Sequence, residues 1–245
     1  MPRIARVATG GIACHAINRG NGRQAVFHEE QDYVAFLNLL AESQAKTPMR
    51  VLGFCLMPNH FHLAVWPRAD GDLGRWMQWL MTSHVRRHHR RYGSSGHVWQ
   101  GRFKSFPIQS RRPTPLQRSQ GVVAAANPLW ALLRYVEGNP LRAGLVRRAE
   151  DWDWSSLRWS AGLEPPPAWM HSAWLERPAG WLTTVNRGQR EEELAAIRRS
   201  VVRGSPFGEG GWVKRVAKLL GLESSLRPRG RPRKQSQRDG EHPEK

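Results

Sequence analysis

The sequence predicts an α+β protein, and three observations carry that prediction. Two apolar runs, Arg50–Met57 and His60–Trp66, flank Pro58-Asn59 and read as a β-hairpin. Apolar residues recur at helical spacing before it, at Val34, Leu37, Leu40 and Ala41, and a second helical pattern follows it over residues 73–92. Hydrophobic residues make up 40% of the 245, enough to build a core rather than leave the chain disordered.

Taken in order, residues 10–18 alternate well enough for a strand that ends at Arg19-Gly20. The spacing over 31–46 predicts a helix, started by Asp32 and stopped before Pro48. The hairpin follows. The long helix over 73–92 ends in an Arg- and His-rich turn, which suits the negative end of a helix dipole. Residues 93–96 form a loop, and 98–109 read as an extended segment mixing aromatic and basic side chains. The Pro-rich stretch 111–128 is irregular by its punctuation. A helix over 129–139 is closed by Pro140, 152–159 is a compact segment, and Pro165 to Pro167 mark a boundary. Residues 190–203 and 211–220 are helical, and from 227 on the Arg/Pro/Gly composition predicts a tail disordered until bound.

Charge narrows the function. Lys and Arg number 38 against 20 Asp and Glu, leaving a formal charge of +18. Basic residues neutralise phosphates and release counterions, so nucleic acid is the expected partner. A membrane surface is the weaker rival, because it would need a basic amphipathic helix rather than Arg-Gly loops. Two cysteines, Cys14 and Cys55, exclude a disulfide scaffold and a four-Cys zinc site and fit a reducing cytoplasm. No run of about 18 apolar residues or apolar signal core is present, so no membrane span or secretion is expected.

The sharpest local feature is His60-Phe61-His62. Residues i and i+2 on a strand share a face, so two imidazoles can grip one cation while Phe61 turns into the core. Such pairs also arise by chance. The second feature is Tyr135-Val136-Glu137-Gly138-Asn139, which on a helix projects Tyr135 and Asn139 side by side. A phenol beside an amide oxygen can complete a site begun by two histidines. Taken without context, it reads more simply as a half-buried helix aromatic with Asn139 as a C-terminal cap.

Basic segments point to single-stranded nucleic acid. Residues 97–104, with Gln100, Arg102 and Lys104, alternate rings and phosphate-binding groups as a single-strand groove does, or form a core-edge strand with the rings inward. Asn18 and Arg19, beside Gly20, are a second contact or an ordinary hairpin loop. Residues 86–91 read as a phosphate-facing helix end. Pro228-Arg229-Gly230-Arg231-Pro232 matches an AT-hook core, with Arg229 and Arg231 suited to a narrow minor groove.

These residues converge on a family. His60-Phe61-His62 after Met57-Pro58-Asn59, Trp99 to Lys104, Tyr135 to Val146 and Trp154-Ser155-Ser156 resemble, in that order, the REP-associated tyrosine transposases. These are single-tyrosine relatives of insertion-sequence transposases in the HUH endonuclease superfamily. The resemblance runs from about Arg19 to Lys234. It implies a ferredoxin-like HUH domain over 1–163, with an insertion at 111–127 directly before the tyrosine helix. A helical DNA-binding segment over 164–224 and a basic AT-hook-like tail over 225–245 would follow.

The resemblance also implies roles. His60, His62 and Asn139 would hold Mg²⁺ or Mn²⁺, and Tyr135 would be the nucleophile of a nicking and strand-transfer enzyme. Only Tyr33, Tyr92 and Tyr135 exist, and Tyr92 is the one rival nucleophile. A phenol, with an ordinary pKa of about 10, leaves far more readily than an alcohol, so a 5′-phosphotyrosine link is reversible by a 3′ hydroxyl. The expected substrate is hairpin-forming or single-stranded DNA, the expected setting cytoplasmic and nucleoid-associated, and the expected state monomer or homodimer. A non-catalytic DNA-binding protein derived from a transposase is the alternative. A rolling-circle initiator fits less well, because no Gly-rich phosphate loop is present.

Overall fold

The computed structural model describes residues 9–110, 127–171 and 177–227. The 111–126 part of the expected insertion, and the tail from 228 on with Arg229 and Arg231, lie outside the described residues. Four strands form one antiparallel sheet in the order β2-β3-β1-β4: β1 (Cys14–Arg19), β2 (Arg50–Met57), β3 (His60–Trp66) and β4 (Lys104–Pro107). Helix α1 (Glu30–Lys46) links β1 to β2, and α2 (Asp72–Tyr92) links β3 to β4. This β-α-β-β-α-β order with that strand sequence is the ferredoxin-like arrangement. The extended stretch expected over 98–109 is regular only at β4, because Gly101 takes φ +102 and turns the chain before it pairs.

Strand alternation gives the sheet two different faces. On one, Phe61, Leu63, Val65, Cys14 and Ala16 pack with Phe36, Leu40, Trp76, Met77 and Leu80 of α1 and α2. Each fully buried aliphatic or aromatic side chain here stabilises the fold by roughly 1.5–3 kcal/mol. Asp32 secures the start of α1, accepting from the backbone N–H of His28 at 2.8 Å and the Tyr92 hydroxyl at 2.6 Å. The β2–β3 turn is tied down by Val26 and Phe27, whose N–H groups donate to the Pro58 carbonyl.

The opposite face is covered by α3 (Pro128–Glu137), whose start is capped by the Asn127 side chain accepting from Leu129 N–H at 3.1 Å. Leu132, Leu133 and Val136 of α3 are fully buried against Leu52, Cys55 and Ala64. The contact is close at Gly53, where a Cβ would stand 2.7 Å from Leu133 Cδ2, so a larger residue would push that side chain aside. One-turn helices α4 (Asn139–Arg142) and α5 (Leu157–Ser160) follow, then α6 (Trp181–Asn186), α7 (Glu191–Arg203) and α8 (Gly210–Leu219). Trp181, Val185, Leu194 and Ile197 of α6 and α7 share the core beneath α3. Among the described residues no helix is long and apolar enough to cross a membrane.

Glu137 pins α3 in place. It is fully buried, and its carboxylate accepts from Ser156 Oγ at 2.7 Å, Trp181 Nε1 at 2.6 Å and Arg177 at 3.1 Å. Ser156 in turn accepts from Phe54 N–H on β2 at 2.9 Å. One carboxylate thus joins α3, the sheet and α6. Charges out of water persist only with such a full set of partners.

Candidate nuclease site

The site lies on the α3 face, and strand register puts it there. Arg19 pairs with His60, Ile17 with His62 and His15 with Ala64, so these side chains share one face. Across β1, Lys104 sits opposite Ile17 and joins the same face. His62 is buried, His60 half-buried, and their ring centroids are 4.9 Å apart. Phe61, between them, is fully buried in the other core, as strand alternation predicts.

Each imidazole is oriented by a neighbour. His60 Nδ1 donates to Asn59 Oδ1 at 2.6 Å, which leaves Nε2 as the unprotonated nitrogen. His62 Nδ1 and His15 Nε2 are hydrogen-bonded at 2.8 Å with their rings stacked. Burial, followed by the charges of Arg19 and Arg142, pushes His60 down to about 4. Burial, then His60, pushes His15 down to about 3, and burial likewise holds His62 well below the usual imidazole range. At neutral pH all three are therefore neutral and keep a lone pair.

Tyr135 reaches this cluster from α3. Its ring meets that of His62 edge-on, centroids 5.6 Å apart. The Arg142 guanidinium lies over the ring, 4.3 Å from its centroid, and donates to the Tyr135 carbonyl at 2.9 Å. Residue 135 is 8% exposed and lines a cleft of about 390 Å³ together with Asn18, Arg19, Gln100, Arg102 and Lys104. The other tyrosines are elsewhere. Tyr33 stacks on Phe27 and Trp154 in the opposite core, and Tyr92 ends α2 with its hydroxyl held by Asp32.

Asn139 follows one turn later. Pro140 does not close α3 as the sequence reading expected. The helix breaks at Gly138, and Pro140 sits in the first turn of α4, where its missing N–H costs nothing. At Gly138 a Cβ would be 2.9 Å from the Arg134 carbonyl, so glycine permits the break to stay tight. Asn139 is buried, and its Nδ2 has no partner among the described residues.

Other readings are sorted by burial. Trp99 and Phe103 are 4% and 7% exposed and belong to the α1/α2 core, so the rings of 97–104 face inward and leave the polar residues to the cleft. Asn18 holds that segment in place, donating to the Gly101 carbonyl at 3.0 Å, while Gln100 N–H donates to Arg19 O at 2.8 Å. Three residues escaped sequence reasoning: His15, Arg142 and Arg198. The signal for the first was its place on β1 in phase with Arg19. Arg142 shares the Tyr135 motif, and Arg198 carried no local signal.

Fold and site together define an antiparallel α+β domain in which a tyrosine that lines a basic cleft meets one histidine of a neighbouring pair. The family model described as "Transposase IS200 like" matches residues 8–117, a little under half of the chain. The match contains His60 and His62 and ends before Tyr135. Among solved structures, the chain is similar to a REP-associated tyrosine transposase bound to a REP hairpin. The two are 18% identical with a TM-score of 0.49, over 67% of this chain and 89% of that one. It is also similar to a transposase from Deinococcus radiodurans R1 described as putative, 16% identical with a TM-score of 0.35, over 50% of this chain and 95% of that one. No curated protein matches.

Proposed function

We propose that this protein is a metal-dependent endonuclease and strand transferase for single-stranded, hairpin-forming DNA, acting through Tyr135. The observation that carries the reading is the contact with His62 of the Tyr135 ring, which lines a cleft together with Arg19, Arg102 and Lys104. In the proposed step the phenolic oxygen attacks the scissile phosphorus and the bond to the 3′ oxygen breaks. The phenolic proton is lost to solvent, the 3′ oxygen gains one, and the 5′ end stays on Tyr135. No water is consumed, so a later 3′ hydroxyl can reverse the exchange.

The residues present fit a hard divalent cation. His60 offers Nε2 because Nδ1 is engaged by Asn59, and His62 can do the same with Nδ1 donating to His15. The buried Asn139 amide, with an unpartnered nitrogen, is the third candidate ligand. Among the described residues no cluster of three or more His, Cys, Asp and Glu suits a metal, so an amide and phosphate oxygens would have to complete the shell. When bound, Mg²⁺ or Mn²⁺ would polarise a non-bridging phosphate oxygen. Arg19 and Arg142 place positive charge beside both histidines, which disfavours a cation alone and favours a cation with a phosphate.

The chain's own residues do the rest. Arg142 holds the tyrosine ring against His62, Glu137 fixes the helix that carries it, and Arg19, Arg102 and Lys104 hold the strand. The test is covalent capture. Wild type with a labelled hairpin oligonucleotide and Mn²⁺ should give an adduct that survives SDS, and Tyr135→Phe should give none. An adduct that persists in Tyr135→Phe overturns the assignment. Salt-sensitive binding without nicking in either metal would leave a DNA-binding protein that does not cut.

A further inference from the structure

The cleft over Tyr135 has two walls, and the second is built by a helix far along the chain. One wall is the end of β1 with residues 100–104. The other is α7, which contributes Arg198, Val201 and Val202. These three stand at i, i+3 and i+4 on one helical face, beside Leu194 and Ile197, which are buried in the core under α3 and against which Val201 also packs. The wall is firmly seated. Gly204 closes α7 in a left-handed conformation at φ +69. The next segment docks on β4, with Phe207 N–H donating to Pro107 O and Gln109 N–H to Phe207 O, both at 2.9 Å.

The chemistry of the slot is one-sided. Arg19, Arg102, Lys104 and Arg198 line it, and among the described residues no acidic side chain does. Arg198 pairs at the surface with Glu191 at 2.7 Å, both side chains about half exposed or more. Such a pair is worth about 0–1 kcal/mol and yields readily to a phosphate. Val202 is 54% exposed despite being apolar, and with Val201 it offers a dry surface beside the cations. A volume of about 390 Å³ is at the small end of ligand sites and suits one nucleotide rather than a duplex.

We propose that α7 completes a one-nucleotide slot at Tyr135, in which Arg198 grips a backbone phosphate of single-stranded DNA from the side opposite Arg19, Arg102 and Lys104, while Val201 and Val202 cover the sugar or base. The proposal deepens the nuclease reading by assigning this helix to substrate binding. Arg198 is also close enough for its charge to act on Arg142, a minor influence on that guanidinium beside burial, and this places it near the tyrosine's own neighbour.

The experiment compares two adjacent arginines of α7. Binding of a fluorescein-labelled oligothymidylate is measured by anisotropy in EDTA across a KCl series, with full-length wild type, Arg198→Ala, Arg199→Ala and Arg198→Lys. Arg199 is exposed but does not line the slot. Both alanine variants lose one charge, so a general electrostatic effect would be equal in them. Arg198→Ala should bind roughly tenfold more weakly, as loss of one charged hydrogen bond does. It should also lower the salt slope by about 0.7. Arg199→Ala should change neither, and Arg198→Lys should recover most of the loss. Equal weakening in both alanine variants, or none in either, overturns the slot. The assay needs no cation and no cleavage. An adduct independent of Tyr135 with Arg198-specific binding intact would sink the nuclease reading alone, and a Tyr135-dependent adduct with unaltered Arg198→Ala binding would sink the slot alone.

Discussion

The two faces of the sheet use the same strands for opposite ends. Toward α1 and α2, β3 shows Phe61, Leu63 and Val65, and nearly every neighbour is apolar. Toward α3 it shows His60 and His62, joined by His15, and buries two imidazoles fully and that of His60 in part where aliphatic side chains would pack without penalty. Desolvation on the α3 face keeps the imidazoles neutral and able to donate lone pairs. The α1/α2 face is packed almost wholly from apolar side chains, and the α3 face gives up part of its apolar packing to polar groups. Polar groups on that face are accordingly held by further polar groups, Asn59 on His60, His15 on His62 and Ser156 on Glu137.

The largest expected effect separates tyrosines on the two sides. Tyr135→Phe should lower adduct formation by roughly 10³-fold or more, as removal of a nucleophile does. Tyr92→Phe, at the end of α2, should leave it near wild type. SDS-gel quantification of the labelled oligonucleotide reads both, and a large loss in Tyr92→Phe would reverse the assignment of the faces.

Neighbours on β3 give the next contrast. Phe61→Ala opens a cavity in the α1/α2 core and should cost about 3–5 kcal/mol in urea denaturation. His62→Ala should cost less stability, yet lower metal-dependent nicking roughly 10²-fold, the loss of a few kcal/mol of charge stabilisation. Equal stability losses with unchanged nicking would erase the distinction.

Acid should probe the histidines. His84, buried among Phe27, Phe36 and Trp99 on the helical face, is pushed down to about 3 by burial and then by His88. A folded-state value below the unfolded 6.5 means that the unfolded chain binds protons first. Stability is thus complete above about pH 6.5 and is lost as pH falls toward 3. At pH 5 one such histidine costs about 2 kcal/mol. His84→Phe should recover that share relative to pH 7.5 in metal-free buffer, while the remaining acid sensitivity comes from the other lowered groups, among them His15, His60, His62, His88 and His171. An unchanged pH profile would contradict the assignment.

The smallest effect concerns the start of α1. Asp32→Ala removes the acceptor for His28 N–H and the Tyr92 hydroxyl and should cost about 1 kcal/mol, read as a modest shift in denaturation midpoint with nicking unaffected.

Local rules explain how much could be read without coordinates. The hairpin around Pro58-Asn59 has the bounds that its apolar runs indicate, and Phe61 faces inward between its histidines because strand geometry allows nothing else. The helices over 31–46 and 73–92 begin one residue earlier than their spacing suggests. The helix before Pro140 was harder. A proline after a helix and a proline in the first turn of the next look alike in sequence, and only the chain direction at Gly138 tells them apart. The rings of 97–104 were undecided for a related reason, since an aromatic beside an arginine suits a groove or a core edge equally until the sheet says which side is wet.

By itself the sequence determined what depends on neighbours along the chain: strand phase, helix spacing, the shared face of His60 and His62, and a charge that calls for a polyanion. Only the tertiary structure decided what depends on residues far apart. It brought Tyr135 to His62 across 73 positions, set His15 behind that histidine, and closed the cleft with α7. The reason is physical: periodicity records which side of an element is buried, but contact between elements is settled by packing, and a buried Glu137 and a bare Gly53 set how α3 meets the sheet.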